Sequence, residues 1–274
     1  MSTVINTNFA AVLSRKHLDT VQREMDKSIG RLSSGLRINS AADDAAGMAI
    51  AGRMESQERG LVAQIRNARD AQSRVATSEG AMSEITEILQ RMRELAVQAS
   101  SGVATSTDRG YLDLEMHQLV DEIEAIADNT KFNDAKVFST GQTTYFTDID
   151  VSGTPITVVS TNMNVSMLAV TANNVSIGTQ ALAKIAISRI DTAIATVDGK
   201  RAQLGAVSNR IDHTIDNLSN VVINTIASKS RIEDADFADE TTNMTKNSVL
   251  QQAATAMLSQ ANASKNTILS LIQQ

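Results

Sequence analysis

Three histidines, His17, His117 and His213, are the first residues to test for metal or proton chemistry, because the chain has no cysteine to supply a thiolate. They are far apart in the sequence, on polar helical positions, and none belongs to a His-Glu-x-x-His pair, the spacing that sets two imidazoles on one helical face. Surface histidine is the expected reading. The segment Gly30-Arg31-Leu32-Ser33-Ser34-Gly35-Leu36-Arg37 has the two glycines of a phosphate loop, but Leu36 stands where a lysine must reach the phosphates, and no strand precedes it. The acidic stretch Glu233-Asp234-Ala235-Asp236 lacks the loop glycine and the terminal bidentate Glu of a calcium loop. It reads as a helix start, where carboxylates meet the positive end of the dipole. No nucleophile is paired with a base. The expectation is therefore a protein with no catalytic residues, no metal and no cofactor.

The elements that would have to position such residues are just as unusual. Aromatic residues make up only 3% of the 274, with no Trp, so the core must be thin and built from Ala, Ile, Leu, Val and Met. A single proline, Pro155, leaves most of the chain free to form very long helices. The balance of 25 basic against 31 acidic residues, a net charge of −6, gives no electrostatic case for nucleic acid. No run approaches the roughly 18 apolar residues of a membrane span. The segment from Met1 to Ser14 has no basic residue ahead of an apolar block, so no cleaved secretion signal is expected.

Hydrophobic spacing assigns the helices. Ile187, Ile190, Ile194, Val197, Leu204, Ile211, Ile215, Leu218 and Val222 fall on alternating steps of three and four, interrupted only at Arg201 and Ser208. Such a repeat keeps one seam on a partner helix when helices supercoil. A helix over 44–99 carries similar seams, through Leu61, Ile65, Ala68 and Val75, then Met82, Ile85, Leu89, Met92 and Ala96. A third, shorter helix starts near Ser106-Thr107-Asp108 and ends near Asp128-Asn129-Thr130. Between Asn133 and Asn174 the period changes to two. Tyr145, Thr147, Ile149 and Val151 alternate with Phe146, Asp148 and Asp150, a turn follows at Ser152-Gly153-Thr154-Pro155, and Ile156 to Val159 returns. This predicts a β-hairpin near 144–159, with Leu168 to Ser176 as a connector back to a helix from about Thr179. The fold class is mainly α: an elongated helical bundle or coiled coil of the two terminal arms, with a small hairpin in the middle of the chain.

Both ends are poor in charge. Met1 to Ser14 has none, and residues 247–274 carry only Lys265. In the second segment Leu250, Ala254, Met257, Ala261, Ile268 and Leu271 step by about 3.5, over a face of Gln, Ser, Asn and Thr. A solvated surface helix would carry charge on that face, and a membrane-surface helix would carry Lys and Arg. The two ends are expected to pair and then to be buried against neighbouring copies, with Ile5, Phe9, Val12, Leu250, Met257, Leu258, Ile268 and Leu271 as the assembly residues. Alone, such an arm buries too little area to offset its ordering entropy, so it should be loose in the monomer.

Specific residues then carry a family resemblance. Val4-Ile5-Asn6-Thr7-Asn8 and the run Arg31-Leu32-Ser33-Ser34-Gly35-Leu36-Arg37-Ile38-Asn39-Ser40-Ala41-Ala42-Asp43-Asp44-Ala45-Ala46-Gly47 closely resemble the amino-terminal signature of bacterial flagellin. The likeness continues through Leu89-Gln90-Arg91-Met92-Arg93-Glu94-Leu95-Ala96-Val97-Gln98 and Phe132-Asn133. It resumes at Leu204-Gly205-Ala206-Val207, at 230–236, at Gln251-Gln252-Ala253 and at Ile268-Leu269-Ser270-Leu271. Only about 45 residues separate Asn133 from Thr179, so the chain resembles a short flagellin without variable outer domains.

That resemblance implies a subunit polymerising with itself into an extracellular flagellar filament for swimming, exported through the type III apparatus. It implies an inner-core domain of 1–43 with 236–274, an outer-core domain of 44–235, and a spoke between them at Gly30, Gly35, Asp43, Asp44, Gly47 and Gly52. Implied partners are an export chaperone, the filament cap and the hook-associated junction proteins, with neither nucleic acid nor membrane insertion. Gln90, Arg91, Arg93, Glu94 and Leu95, with Glu115, match residues through which similar flagellins meet the animal Toll-like receptor for flagellin. Arg91 and Leu95, four apart, would present a guanidinium beside an apolar anchor. A hook–filament junction protein would share the termini but typically has proline after the paired aspartates, where this chain has Ala45. A cytoplasmic signalling hairpin of the chemoreceptor type would require charged helix exteriors and no β-hairpin.

Overall fold

The computed structural model describes residues 7–138, 141–146, 156–160 and 162–272. Ile5, the strand residues 147–151 and the turn 152–155 with Pro155 lie outside them, as do the side chains of Ile268 and Leu271. Five helices run in the order α1 (Phe9–Ser34), α2 (Ala45–Ser100), α3 (Ser106–Asn129), α4 (Gln180–Glu233) and α5 (Phe237–Ile272). Between α3 and α4 come β1 (Lys131–Phe132), β2 (Ala135–Lys136), β3 (Gly141–Phe146) and β4 (Ile156–Ser160). Among the described residues no helix is long and apolar enough to cross a membrane.

Two compact units divide inside the long helices: residues 1–58 with 223–274, and residues 59–222. The helix breaks themselves lie elsewhere, at 35–44 and 234–236.

In the 59–222 unit the heptad seams of α2 and α4 build the core. Ile85, Leu89, Met92, Leu95 and Ala96 of α2 meet Ala183, Ala186, Ile190, Ala193 and Val197 of α4, and Met116, Val120 and Ile123 of α3 close the third side. The fully buried α4 positions include three alanines that the aliphatic spacing passed over. Small side chains there let three helices approach one line, so that line is read by burial as well as by bulk. α3 starts where its cap chemistry requires. Thr105 is the N-cap, its hydroxyl accepting from Asp108 N at 3.2 Å while the Asp108 carboxylate accepts from Thr105 N at 2.9 Å. Arg109, one turn in, reaches back to the end of α2 and donates to the carbonyls of Ala99 at 2.8 Å and Ser101 at 2.9 Å. It satisfies carbonyls that no further turn of α2 would serve.

Two findings amend the reading of the middle segment. The expected hairpin is present as antiparallel β3 and β4, paired from Gly141 opposite Ser160 to Phe146 opposite Ile156, with a bulge between Thr144 and Phe146. A second, shorter hairpin precedes it: β1 and β2 turn through Asn133 and Asp134, both in the left-handed region at φ 50° and 61°. Asn-Asp is a pair that tolerates that turn, so the signal was in the sequence. The segment 162–179 is also more than a connector. Met163, Leu168, Val170, Val175 and Ile177 are buried in the core. Polar contacts pin it, with Val165 N donating to Glu124 at 3.0 Å, Ile177 N to Asp113 at 2.7 Å, and Arg189 to the Asn174 carbonyl.

Candidate assembly surface

In the other unit α1 and α5 pack along each other. α1 is capped at its start by Asn8, whose Oδ1 accepts from Ala11 N at 3.1 Å. It ends at Gly35, which takes φ 75° and donates its N–H to the Arg31 carbonyl at 2.8 Å. Three long-range contacts fix the two helices as antiparallel: Asn8 Nδ2 donates to the Ala261 carbonyl at 2.9 Å, Gln251 Nε2 to Gln22 Oε1, and Arg31 Nη1 to Glu240 Oε1 at 2.6 Å.

The seam between them is poor in large apolar side chains. From α1 the half-buried residues are Ala11, Ser14, Leu18, Val21, Gln22, Met25, Arg31 and Leu32, with Ser28 buried. From α5 they are Thr241, Met244, Asn247, Ser248, Gln251, Ala254, Leu258 and Ala261. A second set of apolar residues lies on the outside. Phe9 is 74% exposed and Met257 63%, and Val12, Leu13, Val249 and Leu250 are exposed with them. The sequence had placed Leu250 and Met257 on one stripe with Ala254 and Ala261. The structure separates them: Ala254, Leu258 and Ala261 turn toward α1, and Leu250 and Met257 turn away. An antiparallel pair with this many small and amide side chains can close at short range, which selects the Ala-rich stripe for the inside. Phe9, Val12, Leu13, Val249, Leu250 and Met257 are left exposed, where a self-sufficient helix pair would carry polar side chains.

At one end of this seam sits a buried polar cluster. Glu240 is 5% exposed and is the one charged residue so enclosed among the described residues. It accepts from Arg31 and, through Oε2, from Ser28 Oγ at 3.0 Å. The hydrogen bond from the Arg31 guanidinium, aided by that of Ser28 and opposed by burial, holds the Glu240 carboxyl below its ordinary 4.5. A depressed carboxylate contributes stability that is present above its unfolded value and lost as pH falls through its folded one. The amide protection factors of α1 and α5, which compare observed with intrinsic exchange at each pH, should therefore fall as pH drops below about 4.5. Glu240→Gln should flatten that response, and an unchanged pH profile in the variant would contradict the assignment.

The connectors beside the cluster are clamped together. Leu36 and Asp234 form an antiparallel bridge, with Arg37 N donating to the Glu233 carbonyl at 2.7 Å and Ala235 N to the Gly35 carbonyl at 2.9 Å. The Arg37 guanidinium also caps the Ile232 carbonyl. Asp43 pairs with Lys27 at 3.1 Å and accepts from Ser40 N and Oγ. Lys27 and then Ser40 hold its carboxyl below the usual range. Asp44 starts α2 by accepting from Gly47 N at 2.8 Å. A Cβ on Gly47 would lie 2.5 Å from Asp44 Oδ2 and 2.7 Å from Ile38 Cδ1, so any larger residue there displaces the Asp44 carboxylate and the end of Ile38. Gly30 and Gly52 make no comparable demand: both are inside helices with open space around them.

On the 59–222 unit, the exposed Arg91 donates to Glu115 of α3 at 2.8 Å and to Glu94 at 3.0 Å, while Arg93 pairs with Asp191 of α4 at 2.6 Å. Gln90 is exposed beside them. Leu95 does not join this face. At 1% exposed it is a core residue, because one α2 stripe turns into the bundle between Met92 and Ala96. The expected pairing of Arg91 with a surface anchor at Leu95 is therefore corrected. Among the described residues, no group of three or more His, Asp or Glu side chains could hold a metal ion.

Comparison with known proteins accounts for both units. Residues 5–143 match the family model of the bacterial flagellin N-terminal helical region, and residues 187–272 that of the C-terminal helical region. The chain is 40% identical over 271 residues to a flagellin of Halalkalibacterium halodurans, covering 98% of this chain and 100% of that one. It is 34% identical over 285 residues to the flagellar filament 33 kDa core protein of Treponema phagedenis, with 98% and 100% covered. A solved Vibrio parahaemolyticus structure, described as a candidate flagellar hook-associated protein, is 18% identical and covers 70% of this chain and 100% of that one. Its TM-score of 0.55 is a likeness of fold alone. With both family regions matched and full-length relatives of like size, the chain belongs to the bacterial flagellin family.

Proposed function

We propose that this flagellin uses the outer face of its α1–α5 pair as the surface buried when copies polymerise. As a flagellin it is a structural subunit of the bacterial flagellar filament, outside the cell. The observation that carries the finer reading is the exposed apolar set of Phe9, Val12, Leu250 and Met257, left outside a seam already filled by Leu18, Val21, Met25, Met244 and Leu258 among Ala, Ser and Gln. Exposed apolar surface on this scale marks an interaction site. In this reading the inner-core domain is 1–43 with 236–274 and the outer-core domain 44–235, with Gly30, Gly35, Asp43, Asp44 and Gly47 as the spoke.

Met257→Asp tests this directly. The residue is exposed in the free chain, so circular dichroism of the monomer should not change. In the polymer the charge would be buried without a partner at a cost of several kcal/mol per copy. Electron microscopy of precipitated chain should show filaments for wild type and none for the variant. Filaments of normal abundance from Met257→Asp would refute the assignment of this face.

The same apolar face needs cover before assembly, which supports an export chaperone that binds α5 on the way to the type III apparatus. The filament cap and hook-associated junction proteins are the expected contacts at the two filament ends. For the Toll-like receptor, the exposed Arg91 with Glu94 and Glu115 supports a polar contact on shed monomer, with Leu95 acting only through packing.

A further inference from the structure

The α1–α5 seam is nearly degenerate along its length. Its seam positions recur every seven residues on both helices, at 11, 18, 25 and 32 with 14, 21 and 28 on α1 and at 240, 247, 254 and 261 with 244, 251 and 258 on α5, so a slip of seven residues again sets seam position against seam position. Such a slip moves one helix about 10 Å along the other and costs little apolar contact. The cluster at the end of the seam responds differently. A slip takes Arg31 away from Glu240 and leaves an enclosed carboxylate without its cation, and breaking a buried pair is strongly unfavourable. Nor is the pair arranged for stability. Arg31 Nε is enclosed with no hydrogen-bond partner, so the pair carries a desolvation cost that a hydrophobic pair would avoid.

We propose that Arg31, Ser28 and Glu240 are the register key of the terminal helix pair, selecting one antiparallel alignment of α1 and α5 from several of similar packing. A single buried polar group has this role in other coiled coils, at a cost in stability. The inference deepens the assembly reading and rests on it in one respect. The outer face is shared between two helices, with Phe9 on one and Met257 on the other, so it presents a constant surface to a neighbouring copy only when their alignment is constant.

The chain has no cysteine, so two introduced thiols can be spin-labelled without interference. His17→Cys and Ala256→Cys place labels on exposed positions of α1 and α5. Their separation is measured by pulsed electron resonance in the free chain with trimethylamine N-oxide, which favours the compact state, and in filaments diluted with unlabelled chain. The otherwise wild-type chain should give one narrow distance. Arg31→Met with Glu240→Met should add a second population displaced by about 10 Å, one heptad. The exchange Arg31→Glu with Glu240→Arg should restore the single distance. An apolar double variant that keeps the one native distance in both states overturns the proposal. So does an exchange variant that stays split, or a wild type without a single distance. If wild type yields no filaments at all, the assembly reading fails, while the free-chain distances still decide the key.

Discussion

A chain ending at residue 246 is expected to form no filaments while its 59–222 unit melts as in the full-length protein. The deleted part of α5 supplies Gln251, Ala254, Leu258 and Ala261 to the seam, and Val249, Leu250 and Met257 to the outer face. Without it, Leu18 and Val21 of α1 lose their cover, and an isolated helix of this composition frays in water. The buried cluster of the other unit runs from Ala68 to Ile211 and draws nothing from α5. Electron microscopy of precipitated material and a thermal melt by circular dichroism read the two halves of this expectation separately. Normal filaments from the truncated chain would refute the assembly role. A lost transition in the melt would refute the independence of the 59–222 unit.

Leu95→Ala is expected to destabilise that unit by about 3 kcal/mol, since the side chain is 1% exposed and truncating a buried leucine leaves a cavity among Met92, Ala96 and α3. For a unit of this size the melting temperature should fall by roughly 5–10 °C. Arg91→Ala, at a solvated ion pair, should leave the melt unchanged. If Leu95→Ala melts like wild type, the residue is not in the core. A receptor reporter signal lost in Leu95→Ala but kept in Arg91→Ala would mark a folding effect rather than a lost contact.

Much of the fold was legible because long heptad seams are local signals that repeat. Ile85, Leu89 and Met92 announce the buried side of α2, and Ser106-Thr107-Asp108 announces the start of α3 within about one residue of its N-cap, Thr105. The Asn133-Asp134 turn is equally local, but strands of two residues each carry too short an alternation to stand out beside the longer one that follows. The core role of 162–179 was not readable. Its burial depends on Glu124, Asp113 and Arg189, which are near it only in space.

The candidate site divides the same way. The charge-poor ends, their 3.5-residue stripes and the flagellin signature are properties of sequence, and they determine that the termini are helical and that the chain is a flagellin. Which stripe faces inward is not such a property. Periodicity gives each helix an apolar side, but Leu250 and Ala254 are only four residues apart, and the choice between them depends on how closely the partner helix can approach. The fold settled that choice by closing α1 on the alanine side, sending Leu95 into the bundle, and joining Arg31 to Glu240 across 209 residues of sequence. Each of those outcomes is a pairing between distant segments. Its energy exists only once the segments meet.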